Sequence, residues 1–314
     1  MNQNICEYLR QRAVEELFAM STFENCWVSW KAEIERRIPS INGTNVINLG
    51  DNLSEIFRLT STSGRSQSSV SGAGSAWEAL VCWYLNLSLI GTRTVVIKQK
   101  KSLLPDPIRD AITVNYGSFP SNTESDLIAI TFPDKQEYTT VNKFEIKVRD
   151  SNGQEVSTRS KRGDFNYKTV INSLIERDFT DCEVTIIQCK TNWNDNAQIP
   201  MLWDMIYSSK GFNNSVTVGS TSYSIRDIRK FSYAFVTVPT VDKNKISSNS
   251  VCVKRVQNIT GGNYWGYSSV SSVASSLKEI FRKNFSNACV GSLLENVNNE
   301  LVNFKRDYYY FQIF

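Results

Sequence analysis

The sequence feature that most constrains the fold is an almost continuous apolar run at residues 182–189, which leads directly into Lys190. Its shortness and its β-branched residues predict a β-strand. A strand that is apolar on both sides lies inside a sheet whose two faces are covered. The run therefore predicts a central sheet with helices packed on both sides.

Other segments of the chain supply the helices and strands that such a sheet needs. Apolar residues at helical spacing predict helices at 1–38, 53–59, 77–90, 165–178, 196–208, 268–284 and 292–305. Short apolar or alternating runs predict strands at 93–97, 126–132, 141–148 and 231–238, with a hairpin turn at 150–153 and an irregular segment at 102–118. This order predicts an α/β (α+β) fold with a central mixed β-sheet flanked by helices and with helical additions at both ends.

The same pattern divides the chain into three regions. Residues 1–60 form an N-terminal helical region, residues 61–240 form the core, and residues 241–314 form a C-terminal, mainly helical region. We expect the three regions to form one compact unit. Residues 61–75 are rich in serine and glycine, which is typical of a flexible linker and equally of a loop that places backbone amides against phosphate.

The absence of histidine from the 314 residues excludes several reaction classes. Ser-His-Asp and Cys-His catalysis need an imidazole that transfers a proton near neutral pH, and zinc hydrolases use it as a ligand. Any catalysis therefore depends on carboxylates, lysine, tyrosine, serine, cysteine or a metal held by oxygen atoms. The seven cysteines form no CxxC pair and predict reduced thiols. Without a membrane-length apolar run or a signal peptide, the sequence predicts a cytoplasmic protein.

The formal net charge of +4 is compatible with a polyanionic partner. Two segments concentrate the basic residues: residues 143–168 contain seven basic and four acidic residues, and residues 226–255 contain seven basic and two acidic ones. Each segment is interpreted either as solvated surface or as a surface that approaches nucleic acid.

Polar side chains at two strand ends form the pattern that carries chemistry. Gln188 and Lys190 alternate along the predicted strand and therefore share one face at its exit. Asp126 begins a different apolar strand. A carboxylate and a second oxygen ligand can hold Mg²⁺ against a phosphodiester, while a lysine ammonium lowers the pKa of the attacking water or stabilises developing charge.

These residues resemble the PD-(D/E)XK nuclease superfamily, most closely type II restriction endonucleases, with QxK as the variant motif. The resemblance covers residues 74–238 and includes AGSAWEALVCWYLN with Glu78, ESDLIAITF with Asp126, and IIQCKTNWND, followed by the helix DNAQIPMLWDMIY. It implies catalytic roles for Glu78, Asp126, Gln188 and Lys190. It also implies an Mg²⁺ ion held by Asp126, Gln188 and the Cys189 carbonyl.

Two positions depart from the family pattern. Ser125 stands before Asp126 in place of proline, which matters little chemically, and Gln188 stands in place of an acid. A glutamine oxygen can ligate Mg²⁺ but neutralises less charge, which favours one-metal chemistry. The resemblance further implies DNA contacts from residues that follow the catalytic strand or lie in the serine-rich segment, namely Asn192, Asn194, Arg65 and Gln67.

A second ExK sequence competes with Gln188 and Lys190 for the catalytic strand. Glu145 and Lys147 match the motif literally and follow Asp126 at a spacing more usual for the family. The residues before Glu145 are polar, however, and a catalytic strand at the centre of a sheet should be apolar on both sides. Gln188 and Lys190 are therefore the favoured pair. Pro105-Asp106 is a literal PD in a basic loop and is interpreted as a decoy.

The resemblance implies a type II restriction endonuclease that hydrolyses specific double-stranded DNA with Mg²⁺ and leaves 5′-phosphate ends. It implies a homodimer, because palindromic sites are read by two-fold symmetric proteins, with residues 268–305 or the N-terminal helices as the interface. A cognate DNA methyltransferase is expected genetically, not as a stable complex. The alternatives are another nuclease of the same fold, for repair or junction resolution, and a non-catalytic DNA-binding protein that kept the fold.

Overall fold

A computed structural model describes residues 3–62, 70–122, 125–208, 215–239 and 241–314. Its helices are α1 Ile5–Phe18, α2 Ser21–Arg37, α3 Gly43–Asn48, α4 Leu53–Thr62, α5 Val70–Leu87, α6 Asp106–Ile112, α7 Gln136–Thr139, α8 Tyr167–Asp178, α9 Trp193–Asn196, α10 Gln198–Ser208, α11 Val251–Val256, α12 Ile280–Asn284, α13 Leu293–Leu301 and α14 Phe304–Asp307. Its strands are β1 Thr94–Lys98, β2 Val114–Tyr116, β3 Phe119–Ser121, β4 Leu127–Thr131, β5 Glu183–Lys190, β6 Val216–Val218, β7 Lys230–Thr237, β8 Asn263–Trp265 and β9 Ser275–Ser276.

A mixed sheet forms the centre of the described part of the chain. Its six strands lie in the order β1-β4-β5-β7-β8-β9. β1, β4 and β5 are antiparallel neighbours, whereas β5, β7, β8 and β9 run parallel. β2, β3 and β6 make a separate small antiparallel sheet. The prediction of an α+β fold with a central mixed sheet flanked by helices is confirmed.

The central position of β5 follows from its composition. Every residue of β5 except Lys190 is buried. Ile187 and Cys189 belong to the apolar cluster on the α5 side of the sheet, and Val184 and Ile186 belong to the cluster on the α8 side. Successive side chains of a strand point to opposite faces, so a strand with apolar residues at both parities is stable only between two covering layers.

The helical regions at the two ends of the chain pack on the same core. Trp83 of α5 lies 5.0 Å from the ring of Trp27 in α2 and 6.2 Å from the ring of Phe311 near the C-terminus. Residues from the N-terminal, central and C-terminal regions therefore share one apolar cluster with the α5 face of the sheet. In the residues that the structure describes, no helix is long and apolar enough to cross a membrane.

Three predicted elements differ from the structure. Residues 141–148 form no strand, because the Asn142 side chain accepts from the N–H of Phe144 and caps a 3-10 turn at Lys143–Glu145; the turn at 150–153 is present, with Gly153 at φ +78°. Residues 268–276 are not helical, since their many serines compete for backbone hydrogen bonds, and the predicted helix is reduced to a 3-10 turn at Leu277–Glu279 and α12. The segment predicted as irregular contains α6, where Pro107 lies in the first turn of the helix, a position that proline favours.

Candidate active site

The register of the central sheet brings Asp126 and Lys190 together. Asp126 immediately precedes β4, and its neighbour Leu127 pairs with Ile187 of β5. Lys190 is the last residue of β5, and its Nζ lies 3.4 Å from Asp126 Oδ2. The backbone N–H of Cys189 donates to the same oxygen at 2.8 Å. The sheet therefore holds a carboxylate and an ammonium group side by side at the edge where β5 ends.

Glu78 approaches the same edge from α5 and is paired with Lys98. Lys98 is the last residue of β1, and its ammonium group donates to the Glu78 carboxylate. Between 14% and 23% of each side chain in the Asp126–Lys190 and Glu78–Lys98 pairs is exposed, so solvent reaches the charged groups. Lys98 was not among the residues predicted from the sequence. The signal was available, because Lys98 ends an apolar strand as Lys190 does.

The environment of Asp126 changes its acidity. Burial raises the pKa of Asp126 to about 6; the nearby charge of Lys190 lowers it, the charge of Glu78 adds to the rise, and the hydrogen bond from the Cys189 N–H lowers it. A carboxyl group with this pKa releases its proton just below neutral pH. It is therefore ionised at physiological pH yet sensitive to mild acid.

Gln188 lies opposite Asp126 but is held by the core. The residue is 3% exposed, and its Oε1 accepts a hydrogen bond of 2.7 Å from the hydroxyl group of Tyr233 on β7. A carbonyl oxygen has two lone pairs, so this bond leaves one for a further partner. The Tyr233 contact fixes the orientation of the amide, and a role for Gln188 as a metal ligand stays a prediction.

The oxygen atoms at this edge fit a hard cation. Peptide groups of a strand alternate in direction, and the N–H of Cys189 faces Asp126, so its carbonyl group projects toward the β4 side as well. Carboxylate, amide and backbone carbonyl oxygens are ligands that Mg²⁺ accepts, and Mg²⁺ keeps several of its waters. Over the described ranges, no group of three or more acidic, cysteine or histidine side chains forms a metal cluster. A metal here depends on one carboxylate and neutral oxygens.

Comparison of the chain with models of known protein families and with characterised proteins found no match. The functional interpretation therefore rests on the side chains gathered at the edge of the sheet. Their chemistry is that of two carboxylates, two ammonium groups and several neutral oxygens close to solvent.

The residues expected to contact DNA lie in different places. Asn192 and Asn194 follow β5 at the start of α9, and both are half-buried beside the site edge. Arg65 and Gln67 lie outside the described residues. The predicted loop at 61–75 is partly helical, since α4 extends to Thr62 and α5 begins at Val70.

The competing motif lacks the geometry of a catalytic strand. Glu145 is exposed, belongs to the 3-10 turn Lys143–Glu145, and accepts a hydrogen bond of 2.7 Å from Asn142. Lys147 is also exposed, and neither residue is part of a sheet. Asp106 of the literal PD forms ion pairs with Arg109 and Lys168 at the start of α6. The sheet therefore positions Gln188 and Lys190, not the second ExK.

Metal affinity of the free protein is expected to fall in mild acid. The pKa of Asp126 is raised to about 6, so at a pH below this value the carboxyl group is protonated and offers no negative charge to a cation. We expect the Mn²⁺ affinity to be constant above about pH 7 and to fall about tenfold per pH unit below about pH 6. Calorimetric titration across this range measures the effect, with Asp106→Asn as the control that should change nothing. A flat profile would show that Asp126 is not a ligand.

Substitution of Gln188 separates its core contact from a role as ligand. Gln188→Glu keeps an acceptor for Tyr233 and adds a hard anionic oxygen, so we expect tighter Mn²⁺ binding by the free protein and some remaining cleavage of DNA. Gln188→Ala should cut DNA poorly even at high Mg²⁺. Titration beside a plasmid assay measures both properties. Unchanged metal affinity and cleavage in both variants would place Gln188 outside the metal site.

Proposed function

We propose that the chain is a type II restriction endonuclease that acts in the cytoplasm and hydrolyses specific double-stranded DNA with Mg²⁺. The observation that carries the proposal is the Asp126–Lys190 pair at one edge of a buried mixed sheet. Glu78 on the preceding helix and α10 after the catalytic strand supply the other parts of the resembled PD-(D/E)XK pattern. The Asp126 carboxylate and the oxygens of Gln188 and Cys189 would hold Mg²⁺.

In phosphodiester hydrolysis, each group at the site edge has a separate role. Mg²⁺ bound at this edge supplies charge stabilisation at the scissile phosphate and a more acidic water. The Lys190 ammonium lies beside Asp126, where it orients the attacking water and stabilises the negative charge that develops on the phosphate oxygens. Burial of Asp126 lowers the local dielectric and strengthens these interactions. The Cys189 N–H keeps one oxygen of Asp126 in place.

One half of the second basic segment supports a DNA-binding role. β5 and β7 run parallel, so their carboxyl ends share the site edge, and Lys243, Lys245 and Lys254 follow β7 there as exposed residues. Arg226 and Arg229 precede β7 and lie at its other end. A strand of eight residues is about 26 Å long, so β7 separates the two groups. The two groups form one segment, 226–255, only in the sequence.

In the first basic segment, residues 143–168, some of the charged side chains contact other residues of the fold. Lys143 is buried with its ammonium group 5.1 Å from the ring of Tyr8 and 5.2 Å from the ring of Phe144. Lys168 pairs with Asp106. Arg159 is exposed but its guanidinium lies 3.9 Å from the ring of Phe144. The other four basic residues of the segment are exposed and take no part in these contacts: Lys147, Arg149, Lys161 and Arg162. These four are the candidates for phosphate contacts.

Neutralisation of the basic residues at the site edge is expected to weaken DNA binding and reduce its dependence on salt. For Lys243→Gln, Lys245→Gln and Lys254→Gln combined, we expect the slope of log affinity against log salt to fall by about 2 to 3, because each lost phosphate contact removes about 0.9. Binding of a duplex measured between about 50 and 200 mM salt gives the slope. Arg226→Gln with Arg229→Gln is the matched control and should keep it. Equal effects of both sets would contradict this placement.

The proposal includes a homodimer and a methyltransferase of the same specificity. Two-fold symmetric proteins read palindromic DNA, so a dimer would place one active site on each strand. The C-terminal segment exposes the apolar side chains of Val290, Leu294 and Val302, which favours it as the interface. The methyltransferase would protect the host DNA without forming a stable complex with this chain.

Incubation of plasmid DNA with the protein and Mg²⁺ tests the proposed function. We expect discrete fragments that carry 5′-phosphates and can be rejoined by DNA ligase, and no fragments with the Lys190→Ala protein. Unspecific nicking or preferential cleavage of branched DNA would favour a repair or junction-resolving nuclease. Sequence-specific binding without cleavage would favour a non-catalytic DNA-binding protein.

A further inference from the structure

The Glu78–Lys98 ion pair is a feature of the site that the reaction described above does not use. In the register of the sheet Lys98 pairs with Leu127, so it lies beside the residue that follows Asp126. Val96 and Leu127 belong to the apolar cluster on the α5 side, and by alternation Lys98 points to that side too. This direction brings its ammonium group to the Glu78 carboxylate on α5.

The two ion pairs surround one point of β5. Burial raises the pKa of the Cys189 thiol; the charges of Asp126 and Glu78 raise it further, and those of Lys190 and Lys98 lower it. The geometry agrees with this: the Cys189 N–H donates to Asp126 and Lys190 follows Cys189 in the chain, while the Cys189 side chain lies on the α5 side, where Lys98 meets Glu78. The edge thus carries two carboxylates and two ammonium groups, and each carboxylate is paired with an ammonium group of the protein itself.

We propose that Lys98 and Lys190 act as counter-ions that remain paired with the two carboxylates until a DNA phosphate binds. The inference rests on the proposed function, and it makes Lys98 a positioning residue that couples metal binding to DNA binding. A divalent cation entering the free protein meets two ammonium groups and carboxylates that are already paired. A phosphodiester attracts the ammonium groups, and the released Glu78 and Asp126 carboxylates then favour the cation.

This exchange explains how a site with few acidic ligands can still act on DNA. Without DNA, the carboxylates are paired with ammonium groups, so a divalent cation binds only weakly. With a phosphodiester present, one more negative charge lies at the edge, and Mg²⁺ is drawn to it. Metal and DNA affinities are then reciprocally linked, because each ligand strengthens the binding of the other. A protein of this kind would assemble its reactive site only on its substrate.

The decisive measurement is the Mn²⁺ affinity of the free protein, without DNA. Lys98→Met removes the ammonium group and keeps the unbranched chain up to the ε position, so we expect Mn²⁺ to bind at least about tenfold more tightly. Lys100→Met is the matched control: Lys100 lies two residues further along and pairs with Glu16 of α1, with Nζ 2.7 Å from Oε2. Its Mn²⁺ affinity should stay within about twofold of the unmodified protein.

A second measurement tests the coupling directly. Addition of a duplex of about 30 base pairs should tighten Ca²⁺ binding by the unmodified protein, and it should tighten binding by Lys98→Met much less, since that variant has already lost the competing charge. Glu78→Gln leaves Lys98 without its partner, so we expect weaker Mn²⁺ binding by the free protein. If Lys98→Met does not fold, the Mn²⁺ affinity of Glu78→Gln tests the pair in its place, and an affinity that is not weakened would contradict the inference.

The inference is overturned if folded Lys98→Met binds Mn²⁺ with unchanged or lower affinity, or if the duplex tightens Ca²⁺ binding equally in both proteins. These titrations do not use cleavage. Tighter Mn²⁺ binding by Lys98→Met without plasmid cleavage would retain the counter-ion role and contradict the nuclease. Plasmid cleavage with unchanged Mn²⁺ affinity would retain the nuclease and contradict the counter-ion role.

Discussion

Lys190→Ala is expected to reduce plasmid cleavage about a thousandfold while leaving the affinity for DNA within severalfold of the unmodified protein. The Lys190 ammonium group lies 3.4 Å from Asp126, the carboxylate of the proposed metal site. Its removal deletes the group that stabilises developing charge. Since the charge of Lys190 also lowers the pKa of Asp126, we expect the remaining cleavage to require a higher pH.

Asp126→Ala should reduce plasmid cleavage as strongly as Lys190→Ala, because it removes the carboxylate at the proposed metal site. Single-turnover cleavage of a plasmid and binding to a labelled duplex measure catalysis and affinity separately. Lys147→Ala is the control for catalysis only: Lys147 belongs to the second ExK sequence but lies outside both sheets, so single-turnover cleavage by saturating protein should remain even where the loss of a phosphate contact weakens DNA binding. Loss of cleavage in Lys147→Ala with full cleavage in Lys190→Ala would contradict the assignment of the catalytic strand.

Arg10→Leu is expected to lower the free energy of unfolding by about 3 to 5 kcal/mol, because it leaves a buried charge without its partner. The Arg10 side chain is fully buried and forms an ion pair of 3.1 Å with Glu7. Its guanidinium also donates to the carbonyl oxygens of Thr92 and Thr94, each at 2.9 Å, next to the start of β1. These bonds fasten α1 to the sheet. Leucine fills part of the volume but satisfies none of the three acceptors.

Denaturant titration measures this loss as a lower midpoint with an unchanged slope. Arg12→Ala is the control on the same helix: Arg12 is exposed and lies 3.9 Å from Glu15, so its removal should cost less than about 0.5 kcal/mol. Glu7→Leu combined with Arg10→Leu should recover part of the stability, since the unpaired carboxylate is then absent as well. Equal stability of Arg10→Leu and Arg12→Ala would show that the buried network does not stabilise the fold.

The main elements were predictable from the sequence because local patterns specify them. The apolar residues at both parities of β5 and the helical spacing in α5 each require burial in a particular form, whichever segments provide it. Asp126 and Lys190 could be singled out for the same reason, since each is a charged residue next to an apolar strand. Their location at strand ends is a local property.

Pairing between distant segments was not predictable in this way. Residues 141–148 alternate like a strand, yet no strand of the sheet pairs with them, and Asn142 caps a 3-10 turn at Lys143–Glu145 instead. The two groups within 226–255 are close in sequence, yet β7 places them at opposite ends of the sheet. In both cases the local pattern is compatible with several arrangements, and the order of strands selects one.

The sequence by itself determined that this protein has a buried mixed sheet with charged residues where apolar strands begin and end. Only the tertiary structure decided which side chains meet. Lys98 pairs with Glu78, Lys190 pairs with Asp126, and the Gln188 amide accepts a hydrogen bond from Tyr233. The physical reason is that side-chain direction along a strand follows from the alternation of its own backbone, whereas a side chain's partner depends on the register between segments far apart in the chain.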